Sequence, residues 1–223
     1  MAPRALISWS SGKDAAFALH EIRRSGAFDV VGALTTVTDT FGRVSIHGVR
    51  QEILHAQLAG CGLAAHVVPI PYPCPNEIYE ARMATAVADA VARGISHIIF
   101  GDLFLEDVRR YREERLAGTG LTPVFPLWGR PTRPLAEAMI DAGFQARIAT
   151  VDLAKLPADV AGRAFDRMLL DDLPEAVDPC GENGEFHSCV VAGPIFAHPL
   201  PVTTGARVER DGYAYCDLLL RDA

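Results

Sequence analysis

Positive charge is scarce in this chain. Lys and Arg number 21 against 28 Asp and Glu, a formal charge of −7, and the pI lies near 5.5. The overall charge therefore gives no sign of the basic surface that non-specific nucleic-acid binding requires, leaving only a local basic patch open. No stretch approaches the roughly 20 apolar residues of a membrane span, and Met1 leads straight into an expected strand without a charged-then-apolar leader. These absences predict a cytoplasmic protein with neither nucleic-acid nor membrane partners. The five cysteines, Cys61, Cys74, Cys180, Cys189 and Cys216, are odd in number and irregularly spaced, which excludes a disulfide framework, and no Cys-x-x-Cys pair offers a zinc ribbon. Internal repeats, low-complexity tracts and long like-charge runs are missing too, so every segment is expected to fold.

Two common phosphate motifs are also missing. A Walker loop needs glycine five positions before its Gly-Lys pair and a hydroxyl after it, but Ile7 and Asp14 stand there. The dinucleotide fingerprint needs three glycines and finds only Gly12. There is no Ser-His-Asp or Cys-His nucleophile signature.

What is present is apolar content, 49% of 223 residues, enough for a substantial core in two apposed lobes. Arg4 to Trp9 reads as a strand, followed after Gly12 by Ala15, Ala18, Leu19 and Ile22 at helical spacing. That helix stops near Ser25-Gly26, and Asp29 to Val37 is a second β-branched strand. The alternation continues with a helix over 48–59, a strand over 64–70, a helix over 75–93 and a strand over 97–101. An open parallel α/β sheet with helices on both faces is expected, its ligands bound beyond the carboxyl ends of the strands. The loops 10–14, 36–47 and 102–106 gather at that edge. A charged helix runs to about Ala117, and the Gly- and Pro-rich segment 118–134 marks the lobe boundary, dividing 1–128 from 129–223. The second, smaller lobe reads as α+β, with helices near 135–142 and 159–170 and strands near 145–151, 189–196 and 213–220.

Ser10-Ser11-Gly12-Lys13-Asp14 joins a strand to a helix through small residues, so backbone N–H groups can approach an anion with the helix dipole behind them. Lys13 offers positive charge, and Asp14 offers a magnesium ligand or a helix cap. The same spacing also suits an ordinary βα turn. The segment Asp178 to His187 is dense in glycine and in proton- and metal-binding groups. As a zinc site it would need Cys180, His187 and Cys189 to converge at an unusual spacing, so a turn before a strand describes it better.

The first loop resembles the PP-loop of ATP pyrophosphatases of the adenine-nucleotide α-hydrolase type, Ser-Gly-Gly-x-Asp-Ser. It departs from that pattern at Ser11, which replaces glycine, and at Ala15, which replaces serine and removes a hydroxyl. More of the chain resembles the diphthine–ammonia ligase family in its short bacterial form. The matching pieces are Ser8 to Asp14, Gly42-Arg43-Val44 with His47 to Arg50, Gly101-Asp102 with Arg109 and Tyr111 to Glu114, Pro126-Leu127-Trp128, and Cys180 to His187.

The resemblance implies a HUP-like PP-loop fold and an ATP-dependent, AMP- and pyrophosphate-forming ligase that adenylates a small carboxylate and amidates it with ammonia. No glutaminase segment is recognisable, so free ammonia is the expected donor. ATP would lie on Ser10, Ser11, Gly12, Lys13, Asp14, His47, Arg50, Gly101 and Asp102, with Mg²⁺ on Asp14. Asp102, Arg109, Arg112, Gly181, Glu182 and Glu185 would hold the substrate, and Lys13, Asp14, Glu182 and Glu185 would carry the chemistry. A homodimer is compatible with this reading. Two alternatives remain: another PP-loop adenylating or thiolating enzyme, and a nucleotide-binding protein with little or no turnover.

Overall fold

The computed structural model describes residues 2–45 and 47–221. Strands β1 (Arg4–Ser8), β2 (Asp29–Thr38), β4 (Ala64–Ile70), β5 (His97–Ile99) and β6 (Thr122–Val124) run parallel in the spatial order β4-β2-β1-β5-β6. The two-residue β3 (Arg43–Val44) turns back antiparallel onto the end of β2. β1 is central because it is apolar on both faces: Ala5 and Ile7 belong to one core cluster and Leu6 to the other. Strand order reverses between β1 and β5, so the loops that follow these two strands diverge and leave a crevice at the sheet's carboxyl edge.

Helices α1 (Lys13–Ser25) and α2 (Gln51–Gly60) share one core cluster, while α3 (Asn76–Ala92) and α4 (Glu106–Leu116) contribute Val87, Ala90 and Leu116 to the other. After α5 (Thr132–Asp141) comes a second, antiparallel sheet in the order β8-β7-β10-β9, built from β7 (Gln145–Asp152), β8 (Phe186–Ala192), β9 (Val202–Arg210) and β10 (Tyr213–Leu220). Its inward residues, among them Ile148, Phe186, Val190 and Leu218, join the α1–α2 cluster. One apolar core therefore runs through both sheets and presses β8 against the start of α1.

The α/β class and the parallel sheet agree with expectation; several elements of the second half do not. The helix expected over 159–170 is a single 3-10 turn (Ala158–Val160) and a short α6 (Arg167–Asp172). Between them the chain runs beside β7, with the Gly162 N–H on Ile148 O at 2.7 Å and the Ile148 N–H on Arg163 O at 2.9 Å. The strand expected over 189–196 starts three residues earlier, at Phe186, and ends before Gly193, which packs against the Phe144 ring. β6 lies inside the segment read as a boundary and belongs to the first sheet, and β9, with no apolar alternation, was not expected. Among the described residues, no helix is long and apolar enough to cross a membrane.

Candidate functional site

β1 ends on Ser8, and the backbone then makes a tight turn through Ser11, whose φ of +70° is left-handed. Such a conformation costs a serine about 1 kcal/mol more than a glycine. Ser11 is fully buried, and its Oγ has no hydrogen-bond partner. Its carbonyl accepts from the Val190 N–H at 2.9 Å and from Gln57 Nε2 at 3.2 Å. At Gly12 a Cβ would stand 2.9 Å from His47 Cε1 and 3.4 Å from Ser188 O, so it is the packed His47 ring that leaves no room for a side chain here. Gly101, after β5, is packed as tightly against the Asp14–Ala15 peptide, where a Cβ would lie 2.8 Å from Ala15 N.

Gly12 offers no side chain to cap α1. The cap comes from the other lobe: the Lys13 N–H donates to Ser188 Oγ at 3.2 Å. Lys13 is 2% exposed. Its ammonium donates to both Asp14 oxygens, at 3.0 and 2.9 Å, and to the Cys180 carbonyl, and it lies 5.2 and 5.5 Å from the ring centres of Phe165 and Phe186. Burial pulls the ammonium pKa down, but the Asp14 carboxylate foremost, by its charge and its hydrogen bond, and then Glu182 hold it above its ordinary value. Lys13 is thus a charged link between α1 and the 178–185 loop.

That loop is folded by two carboxylates. Asp178 Oδ2 accepts from the N–H groups of Cys180 and Glu182, at 3.1 and 2.9 Å. Glu185 Oε1 accepts from the Asp178 N–H and from Asn183 Nδ2, both at 3.1 Å. Glu185 is 2% exposed, with Oε2 unpartnered; its contacts shape the loop. Gly181 turns against Phe186. Glu182 reaches across to the loop after β5, where its Oε1 accepts from the Leu103 N–H at 2.7 Å. Burial, reinforced by Asp14 and Asp102, raises its carboxyl to about 7 against the pull of the Leu103 N–H and Lys13.

Beside Glu182, Asp102 takes a two-pronged ion pair from Arg112, through Nε and, at 3.0 Å, Nη2; the guanidinium lies 4.3 Å from the Phe100 ring centre. Arg109 pairs with Glu113 at 2.8 Å and sits between Phe125 and Trp128, 4.9 and 4.7 Å from their ring centres. The structure therefore brings together Ser10 to Asp14, Gly101, Asp102, Arg112, Gly181 and Glu182, while Arg109 stands one layer out on α4.

His47 joins this cluster through Nδ1, 3.1 Å from Ser188 O, and its ring is 4.6 Å from that of His187. Burial, with Lys13 nearby, depresses both imidazoles, His47 to about 4 and His187 to about 3, so both are neutral at pH 7. Arg50 does not face the loop. It forms a two-pronged pair with Asp217 of β10, at 2.9 and 2.7 Å, which Arg43 joins at 2.9 Å. An open cavity beside it is lined by Phe41, Gly42, Arg43, Gln51 and Glu52.

Sequence reasoning missed Gln57, Ser188 and Asp217, and singled out the segment that begins at Asp178 without assigning that residue a role. Gln57 had a readable signal, as a polar residue within the apolar stripe Ile53, Leu54, Leu58 of α2. Ser188 and Asp217 had none, because their partners lie 175 and 167 residues away along the chain. Among the described residues no three His, Cys, Asp or Glu side chains are grouped to hold a metal ion. Magnesium, which binds through one or two carboxylates together with substrate phosphates, does not need such a group; the carboxylate of the loop, Asp14, has both oxygens on the Lys13 ammonium.

Residues 131–219, which include β7 to β9 and all but the last residue of β10, match the family model described as the diphthamide synthase C-terminal domain. No curated protein matches the chain. The match relates the second lobe, at a coarse level, to the diphthine–ammonia ligase family and to enzymes of ligase type.

Proposed function

We propose that the chain is an ATP-dependent ligase that releases AMP and pyrophosphate, adenylating a small carboxylic acid other than diphthine and amidating it with ammonia. The observation that carries this reading is the junction of the two loops. Lys13 bonds to Cys180 O and Ser188 Oγ, and Glu182 bonds to Leu103 N, so an anion-binding type of helix start and an acid-bearing loop form one site at the strand-order reversal.

In this proposal ATP displaces the loop's second-lobe contacts: the Lys13 N–H leaves Ser188 Oγ for a phosphate oxygen, and the Lys13 ammonium exchanges its internal acceptors for the departing pyrophosphate. Asp14 would hold Mg²⁺, which would supply further charge neutralisation. His47 and Gly101 border the nucleotide, while Arg50 serves the lobe contact through Asp217. Asp102, Arg112 and Gly181 position the acyl substrate, Arg109 supports them from α4, and Glu185 holds the loop. The substrate carboxylate attacks the α-phosphorus and expels pyrophosphate; ammonia attacks the acyl carbon and expels AMP. Glu182, with a carboxyl near 7, accepts the proton that the attacking nitrogen loses. Positioning and electrostatics, not a covalent nucleophile, supply the catalysis.

Thiolation fits less well, because burial raises the thiols of Cys61, Cys180 and Cys189 well above their ordinary values and keeps them protonated. A nucleotide-binding protein without turnover is favoured by one feature, the saturation of Lys13 by Asp14 and Cys180.

Quantifying AMP and pyrophosphate from ATP and Mg²⁺ with candidate carboxylic acids and ammonium separates these readings. Ligase activity gives both products in step with amide; ADP and phosphate would sink the proposal. ATP bound but uncleaved with every acid selects the second reading. Lys13→Ala is expected to abolish AMP release, and unchanged turnover in that variant would refute the role given to Lys13.

A further inference from the structure

The second sheet ends on a strand whose outer edge is bare. β9 pairs with β10 on one side, and among the described residues no strand pairs with the other. Every residue from Thr204 to Arg210 is exposed. The opposite edge, β8, is closed by the Val190 N–H on Ser11 O and by the Leu200 N–H on Val191 O. A bare edge is a template for another strand, and proteins commonly blunt such edges with charge.

The charge on β9 does not serve that purpose, because it alternates in sign. Arg207 and Glu209 flank Val208 and point to the same face of the strand. Neither forms an ion pair among the described residues. If the strand pairs antiparallel with itself about a two-fold axis through Val208, Arg207 of each copy stands opposite Glu209 of the other. Moving the axis one residue either way sets Arg207 against Arg207 or Glu209 against Glu209. The register that satisfies the charges also joins the two Val208 side chains. Val208 is 55% exposed and pairs across the sheet with Tyr215, and Arg210 stacks over Tyr215 and Phe41 nearby, so the centre of the contact is apolar.

We propose that β9 is a homodimer edge, on which a second copy of this chain pairs antiparallel about a two-fold axis at Val208 and joins the two four-stranded sheets into one. The contact is built on main-chain hydrogen bonds with two reciprocal Arg–Glu pairs, and it does not depend on the catalytic reading.

Sedimentation of the full chain over a range of concentrations tests this, using the wild type, Arg207→Glu, Glu209→Arg, the double variant and an equimolar mixture of the two single variants. The wild type should dimerise reversibly. Each single reversal places like charges opposite each other twice and should weaken dimerisation by about tenfold or more. The double variant and the mixture both restore opposite charges and should recover the dimer. All these positions are exposed, and matching circular dichroism and melting curves confirm that folding is retained. A monomeric wild type, a dimer indifferent to the single reversals, or single reversals that neither the double variant nor the mixture rescues would each overturn the proposal.

Discussion

Glu182 is the residue whose protonation matters most near neutrality. Its carboxyl is raised to about 7, first by burial and then by Asp14 and Asp102. A carboxyl whose folded value lies above its unfolded one favours the folded state when protonated. The stability it contributes is full below the unfolded value of about 4.5 and is lost as pH rises through about 7. Its proposed chemistry runs the other way, since only the ionised form accepts a proton. Amide formation is therefore expected to rise through a limb near pH 7, just where this group's stabilising contribution fades. In Glu182→Gln that limb should vanish from the pH–rate profile, with residual turnover lowered, and the stability–pH curve should flatten over the same window. A limb unchanged by the substitution would assign the titration to another group.

At the scale of elements, the start of α1 is held from three directions. β8 supplies the Ser188 cap and the Val190 N–H, the loop after β5 supplies Gly101, and α2 supplies Gln57. Gln57 is fully buried and uses both ends of its amide: Oε1 accepts from Trp9 Nε1 at 3.1 Å, and Nε2 donates to Ser11 O at 3.2 Å and to Val190 O at 2.7 Å. It thereby ties the left-handed turn at Ser11 to the second sheet. Gln57→Leu conserves volume but strands the indole N–H and the Val190 carbonyl in the core, at about 1–3 kcal/mol for each unsatisfied group. Urea unfolding should show a loss of at least about 2 kcal/mol. A loss below about 0.5 kcal/mol would mean that these groups find other partners.

Across the whole molecule, the two sheets meet through an apolar core with a charged clasp at its rim, where Asp217 of β10 receives Arg43 and Arg50 from the first lobe. Hydrogen bonding from Arg50 first, and from Arg43 with it, holds the Asp217 carboxyl below its ordinary value. A depressed carboxyl contributes stability above its unfolded value and loses it as pH falls through the folded one. Because both arginines are about a third exposed, the clasp is worth little compared with the core. Asp217→Asn is expected to cost about 1 kcal/mol at neutral pH and to soften the acid limb of the stability curve. Thermal melts of both proteins from acid to neutral pH check this; a cost of several kcal/mol would assign the clasp a buried role.

What the sequence alone determined was local. The 3.6- and 2-residue periods of Arg4 to Ile99, and the small residues at Ser10 to Gly12, specify strand, turn and helix through neighbours a few positions apart, and the rule that ligands bind beyond the carboxyl ends of parallel strands was enough to gather Ser10, His47 and Asp102 at one edge. The second half was less legible for the same reason. β9 is exposed on both faces from Thr204 onward, so it carries no alternation there, and the 159–170 pattern joins the 3-10 turn to α6 through residues 162–165, which lie beside β7 and include the buried Phe165. Tertiary structure decided where the charges went: Lys13 inward to Asp14 and Cys180, Arg50 to Asp217 and Glu182 to Leu103 N. A long polar side chain takes whichever partner the burial of the core brings within about 3 Å, and apart from Asp14 those partners lie 79 to 167 positions away along the chain.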